Sequence, residues 1–333
     1  MRLARALSIG FAAIGVGLLD VWAGAAVWVD GRTDPLAWIG LVTGVGAGAI
    51  LGRRTSRSGA RIALAAFPFV IVLGWWLSLQ ASNDRVWQPD VARLPRAKVD
   101  GDRLVIENVR NFSYRPGGDD IAEERWETRS YDLAELRGVD LFMSYWGSPY
   151  IAHTIASWDF GDDRPLAISI ETRKEEGEAY SAVLGFFRQF ELYYVVADER
   201  DVVGVRTNHR GETVRLYRTK ARPELARAVL LDYLAEINAL HEAPVWYNAA
   251  THNCTTTIRH HVRHVARGNP FDWRILVNGR LDELGYERGN VDTSLPFEVL
   301  RTRSDIVDRA RAAAEAPDFS LRIREGIPNP RSR

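Results

Sequence analysis

The first eighty residues carry three long apolar runs, at residues 6–29, 36–52 and 62–80; the first contains one charge, Asp20, and the other two contain none. A helix needs about 20 residues to cross the hydrocarbon of a bilayer, so the three runs predict three transmembrane helices. The second run is short and relies on tilt or local thinning. Glycines at 40, 44, 48 and 52 put a smooth stripe on one face of the second helix, which reads as a packing seam within the bundle. Asp20 is costly inside a span and belongs against protein or water, as a functional carboxyl or as a hydrogen-bonded packing residue.

Beyond residue 80 the pattern changes. Residues 81–103 lack periodicity at first and read as a tether, leaving 104–333 as a separate domain. "RLVIENVRNFSYR" alternates apolar and polar and predicts a strand, as do "GVDLFMSYWG", "YIAHTIASWDF", "RPLAISIETRK" and "ETVRLYRT". The third and fourth of these runs flank "FGDD" and read as a hairpin. "FELYYVVADERDVVGVRTNHR" reads as a strand, a polar turn and another strand. The period then becomes helical in "RPELARAVLLDYLAEINALHE" and "NCTTTIRHHVRHVAR", with a further helix near residues 304–316. Unevenly mixed strands and helices predict an α+β domain.

Charge fixes an expected orientation. Arg2 and Arg5 precede the first run, and Arg53, Arg54, Arg57 and Arg61 separate the second from the third. The other loop, "DGRTDP", holds one arginine and two aspartates. The positive-inside rule therefore predicts a multi-pass protein of the inner (cytoplasmic) membrane, with a cytoplasmic N-terminus and a periplasmic, extracytoplasmic C-terminal domain. A cleaved signal peptide ending near residues 23–25 is the rival for the first run, and it leaves the later domain outside as well. The 253 residues after the runs hold 36 basic and 40 acidic side chains with no basic stripe, which argues against nucleic acid as a partner.

Cys254 is the only cysteine in 333 residues. It is either a small buried hydrophobe or a nucleophile at a helix start. Asn253 or Thr251 would cap that helix, and backbone N–H groups of the first turn, Asn253 to Thr255, would lower the thiol pKa and receive an oxyanion. A thiol nucleophile also needs a base. His252 is too close in the chain to face the sulfur, and His261 is two helical turns away, about 10 Å along the axis. His153 is out of pattern in an apolar strand, and a strand histidine facing a helix-start cysteine is the papain-like arrangement. Ser169 and Glu171 on the neighbouring strand are the candidates to orient the imidazole, Glu171 preferred because a carboxylate also supports the imidazolium. Tyr247 and His252 are further site candidates. His260 and His264 share a helix face, but no accompanying pattern completes a zinc site, and neither a metal nor another cofactor is expected.

"NVRNFSYR", "AHTIASWDF", "AISIETRKEEGEAYS", "FFRQFELYYVVADERDVV", "WYNAATHNCTTTI" and "FSLRIREGIP" together resemble the Lnb N-terminal periplasmic domain family over residues 105–325. That resemblance implies a circularly permuted papain-like (NlpC-type) fold in which the histidine precedes the cysteine. It further implies a lipoprotein N-acyltransferase: Cys254 accepts an acyl chain from a phospholipid as a thioester, His153 is the general base, and the acceptor is the α-amine of a lipid-anchored protein. The membrane helices follow the periplasmic domain in the named acyltransferases, whereas three spans precede it here. A cysteine hydrolase of the envelope, acting on cell-wall peptides or lipid esters, is the alternative on the same residues. A non-catalytic envelope binding or scaffold protein is the second. An apolar groove at Cys254 would favour a lipid substrate, a polar open cleft a peptide.

Overall fold

The computed structural model describes residues 2–161, 164–266, 270, 272–275 and 277–332. The chain divides into two compact units, residues 1–82 with 180–191, and residues 83–179 with 192–333.

The first unit holds three helical stretches long and apolar enough to cross a membrane, at Leu7–Asp30, Pro35–Arg53 and Ser58–Ser78. They comprise α1 (Arg2–Asp30), α2 (Pro35–Arg53), α3 (Ser58–Ala65) and α4 (Phe67–Ser78). The third span is interrupted at Ala66 because Pro68, in the first turn of α4, brings no backbone N–H to the preceding turn. Asp34 caps α2 by accepting from the Leu36 N–H and also accepts from Trp75 Nε1 at 2.9 Å. The glycine stripe is a seam against the third span: a Cβ on Gly44 would lie 2.8 Å from Pro68 Cα, and one on Gly48 2.6 Å from the Leu64 carbonyl. Asp20 lies within the same bundle, beside the Phe69 backbone.

The second unit is built on an eight-stranded sheet. Its strands are β1 (Arg96–Asp100), β2 (Arg103–Arg110), β5 (Trp126–Asp132), β6 (Gly138–Tyr145), β7 (Ala152–Asp159), β8 (Leu166–Arg173), β9 (Glu191–Ala197) and β10 (Thr213–Arg218). A small separate pair, β3 (Ser113–Tyr114) and β4 (Ile121–Glu123), stands apart from it. The order is β1-β2-β9-β8-β7-β6-β10, with β5 paired to β2. The expected hairpin exists as the antiparallel pair β7–β8, registered Ile155↔Ser169 through Trp158↔Leu166; Asp162 and Asp163 of its turn lie outside the described residues.

Two helix layers cover the sheet. On one face, Trp158 and Tyr194 pack edge-on against Tyr233 of α6 (Pro223–Glu242). On the other, Phe142, Ile155, Tyr193 and Val195 meet Ile306, Ala310, Phe319 and Ile323 from the C-terminal segment that contains α10 (Val307–Ala312) and α11 (Phe319–Arg322). Between α6 and that segment run α7 (Cys254–Val265), α8 (Leu281–Glu287) and α9 (Phe297–Arg303). Cover on both faces leaves β7 to β9 buried at nearly every position, polar residues included.

Two expectations are corrected. The stretch read as a tether is built into the domain: residues 96–100 pair with β2, and Arg173 donates to the Val91 and Ala92 carbonyls at 3.1 and 3.0 Å. The second strand expected after "VVADERD" is helical instead. Asp198 caps α5 (Glu199–Val202), and a π-turn follows at Val205–His209. Val202, Val203 and Val205 reach the core from helical backbone, which makes their spacing mimic a strand.

Candidate active site

A tight turn delivers the cysteine. Asn248 and His252 exchange backbone hydrogen bonds, and the Asn248 side chain accepts from the N–H groups of Ala250 and Thr251 at 3.0 and 3.1 Å. Asn253 then caps α7. Its Oδ1 accepts from the Thr255 and Thr256 N–H groups, both at 2.9 Å, while Thr256 Oγ1 accepts from the Asn253 N–H in a reciprocal capping box. Thr251 plays no part in the cap; its hydroxyl bonds Asn248 and His252. The Thr255 N–H is thus consumed by Asn253, and the first-turn N–H left without a partner among the described residues is that of Cys254 itself.

His153 comes close to Cys254 from β7: the imidazole and the Thr154 backbone N–H both act on the thiol and lower its pKa. On its other side the imidazole meets β8: Nε2 lies 2.6 Å from Ser169 Oγ and 3.0 Å from Glu171 Oε1. Ser169 donates its single hydroxyl proton to Glu171 Oε1 at 2.7 Å. Nε2 must therefore carry the hydrogen in its contact with Ser169 and Glu171, which leaves Nδ1 to face the sulfur. The register explains the grouping. Ile155 opposes Ser169, so His153 and Glu171, two residues further along each strand, share its face.

The carboxylate belongs to a longer buried network. Arg206, in the π-turn, donates to Glu171 Oε1 at 2.8 Å and to Glu212 Oε2 at 3.2 Å, and Ser144 donates to the same Glu212 oxygen. Neither Arg206 nor Glu212 stands out in the sequence; a π-turn in a region that reads as strand gives no signal, although such turns favour functional sites. Burial pushes the Glu171 carboxyl up, but His153 and Arg206 together hold it well below the carboxylate range. Burial and Arg206 push the His153 imidazole down, and Glu171 and Cys254 outweigh them, raising it to about 9. Burial pushes the Cys254 thiol up, and the charge and hydrogen bond of His153 more than reverse that, leaving it below its ordinary value. A depressed thiol beside a raised imidazole favours the thiolate–imidazolium pair near neutral pH.

Asn278 was also missed, and it joins the two halves. Its Nδ2 donates to Thr255 Oγ1 at 2.7 Å and its Oδ1 accepts from the Ala152 N–H at 2.9 Å. The Thr255 hydroxyl also lies 3.8 Å from Cys254 Sγ. Gly279 beside it lies against residues 149–151, where a Cβ would come within 2.3 Å of the Pro149 carbonyl. In sequence, "VNGR" reads only as a turn.

The other candidates fall nearby with different roles. Tyr247 is buried at the entrance to the turn, and His252 is exposed with Nδ1 2.9 Å from Thr251 Oγ1. His261 is buried and braces α7 on α6, its Nδ1 2.6 Å from Asp232 Oδ2 and its Nε2 2.7 Å from the Tyr194 hydroxyl. Burial lowers its pKa despite Asp232, so it stays neutral at pH 7. Among the described residues no three His, Cys, Asp or Glu side chains are grouped to hold a metal ion. A cavity of about 550 Å³ opens along α7, lined by Tyr194, Glu236, His252, Thr256, Arg259 and His264 among others.

Residues 122–279 match the Lnb N-terminal periplasmic domain. The Lnb match contains Cys254, His153, Ser169, Glu171, Arg206, Glu212 and Asn278, and it ends on Gly279. Neither a curated protein nor a solved structure matches the chain. Three candidate membrane helices and the periplasmic family domain together make this a membrane protein with a periplasmic C-terminal domain.

Proposed function

We propose that the protein is a membrane-anchored cysteine acyltransferase, most concretely one that N-acylates bacterial lipoproteins with a phospholipid as donor, on a permuted papain-like (NlpC-type) scaffold. The observation that carries this reading is the interacting Cys254–His153 pair, backed by Ser169 and Glu171, inside the Lnb match. In this reading the N-terminus is cytoplasmic, the membrane is the inner one, and the substrates are phospholipid and lipid-anchored protein.

The chemistry follows from the atoms present. The Cys254 thiolate attacks an ester carbonyl carbon of the donor, forming a C–S bond. The oxyanion is received by the Cys254 N–H, the free donor of the first turn. Collapse breaks the ester C–O bond as imidazolium Nδ1–H protonates the departing glycerol oxygen, releasing a lysophospholipid. The acceptor α-amine then attacks the thioester, and His153 takes a proton from it. The C–N bond forms, the C–S bond breaks, and the thiolate–imidazolium pair is restored. Ser169 and Glu171 hold the imidazole in the one tautomer that serves both steps.

The test is mass spectrometry of lipoprotein N-termini from a host lacking its own N-acylation, supplied with wild-type, Cys254→Ala or His153→Ala protein. The reading expects an added acyl chain with the wild type and free amines with both variants. Free amines with the wild type would overturn it. A second reading on the same Cys254–His153 pair is a cysteine hydrolase that resolves the acyl-enzyme with water. Release of free acid from peptide or ester substrates, dependent on Cys254, together with unmodified amines, would select it.

A further inference from the structure

Residues 180–191 leave the sheet domain's chain between β8 and β9 and pack with the membrane helices as part of the same compact unit. The segment makes a closed turn of its own. Gly185, Phe186 and Phe187 donate to the carbonyls of Ser181, Val183 and Leu184, and the Leu184 N–H bonds Ser181 Oγ. Internal pairing of backbone groups is the condition for placing a loop at a lipid boundary.

The residues at the end of this turn are bound to the helix ends. The Arg188 N–H donates to Asp30 Oδ2 at 3.1 Å, its guanidinium donates to the Leu77 and Leu79 carbonyls, and it lies 4.5 Å from the Trp76 ring. Trp76 Nε1 donates to the same Asp30 oxygen at 2.6 Å. This is an interfacial arrangement, with indole rings, an arginine and a carboxylate at helix termini. Phe187 goes deeper. Its ring stacks on Trp22 at 6.4 Å and is packed with Ala23, Ala26 and Val72. Trp22 precedes Asp30 by eight residues, about 12 Å of helix rise on the hydrocarbon side of that terminus.

Phe187 is therefore anchored below the interface while its neighbours face outward. Val183 is 68% exposed and Phe186 51%, continuous in character with the exposed apolar faces of the spans at Val70 and Leu77. We infer that residues 180–187 are embedded in the bilayer, with Val183 and Phe186 against lipid acyl chains. The loop joining β8 to β9 is then a fourth, non-spanning membrane element.

The lone native thiol makes the test clean. In full-length protein carrying Cys254→Ala, single cysteines at Val183→Cys or Phe186→Cys are spin-labelled and reconstituted into phosphatidylethanolamine–phosphatidylglycerol vesicles. Power saturation then compares collision with oxygen, which concentrates in lipid, and with a water-soluble nickel chelate. Val70→Cys supplies the lipid-facing reference and Glu124→Cys the aqueous one, and the contrast between them reports that the background is folded. The expected result is an oxygen-to-nickel ratio at 183 and 186 several-fold above that at 124 and close to that at 70. A ratio equal to that at 124 overturns the inference. Because no acyl transfer is read, this outcome is independent of the function proposed above.

Discussion

Asn278 donates a 2.7 Å hydrogen bond to Thr255, the residue after the thiol, and with its other amide atom it accepts from the strand that carries the imidazole. One side chain thus ties the helix that carries the thiol to the strand that carries the imidazole.

Removing that link should cost turnover. Asn278→Ala is expected to lower the acylation rate by roughly 10²-fold, the scale at which a small misplacement of reacting groups is felt. Thiol labelling of Cys254 should persist, because the cap from Asn253 is untouched. Pre-steady-state formation of a hydroxylamine-sensitive adduct measures the first effect, and a maleimide time course the second.

Gly279 gives a steric counterpart. Gly279→Ala would bring a Cβ against the backbone of residues 149–151, where no flexible side chain can give way. The expected cost is about 1–3 kcal/mol, the range for overpacking a tight site, read as a lower thermal midpoint, with slower acylation because β7 begins there.

The pH profile follows from two opposite shifts. The active pair needs Cys254 ionised and His153 protonated, so activity should rise through the lowered thiol pKa and fall through the imidazole value of about 9. Glu171 raises the imidazole value, so Glu171→Gln should move the alkaline limb to lower pH. Stability carries the same sign. A protonated His153 stabilises the fold fully below about 6.5, its unperturbed value, and this contribution is lost as pH climbs through about 9. Activity and melting curves across pH 5 to 10 for wild type and Glu171→Gln check both.

Arg206 separates charge from catalysis. Arg206→Met leaves Glu171 and Glu212 with no guanidinium between them, and breaking a buried pair from one side costs about 3–5 kcal/mol, at the lower end here because Glu171 is partly exposed. Arg206→Met/Glu212→Gln should recover part of that loss, and urea unfolding of the three proteins measures the recovery.

What could be read from sequence was what periodicity encodes. The three apolar runs, β6 to β8, α6 and α7 are strong patterns, and His153 was visible because a polar ring interrupts an apolar strand. Glu171 and Ser169 followed from their place on the strand predicted to pair with that of His153. Arg206, Glu212 and Asn278 were not legible, because they act through contacts made in three dimensions by a π-turn and a loop. Thr255 was expected to lend an N–H, but Asn253 consumes it, since which donors a cap takes depends on side-chain rotamers. The strand at residues 96–100 was hidden by mostly polar, exposed positions.

The bracket made by Asn278 also orders events in time. A chain synthesised from its N-terminus releases Ala152 126 residues before Asn278, and Thr255 23 before it. Until that asparagine emerges, histidine strand and cysteine turn lack the strut between them. Neither of the two contacts that join them can form before residue 278 has been made.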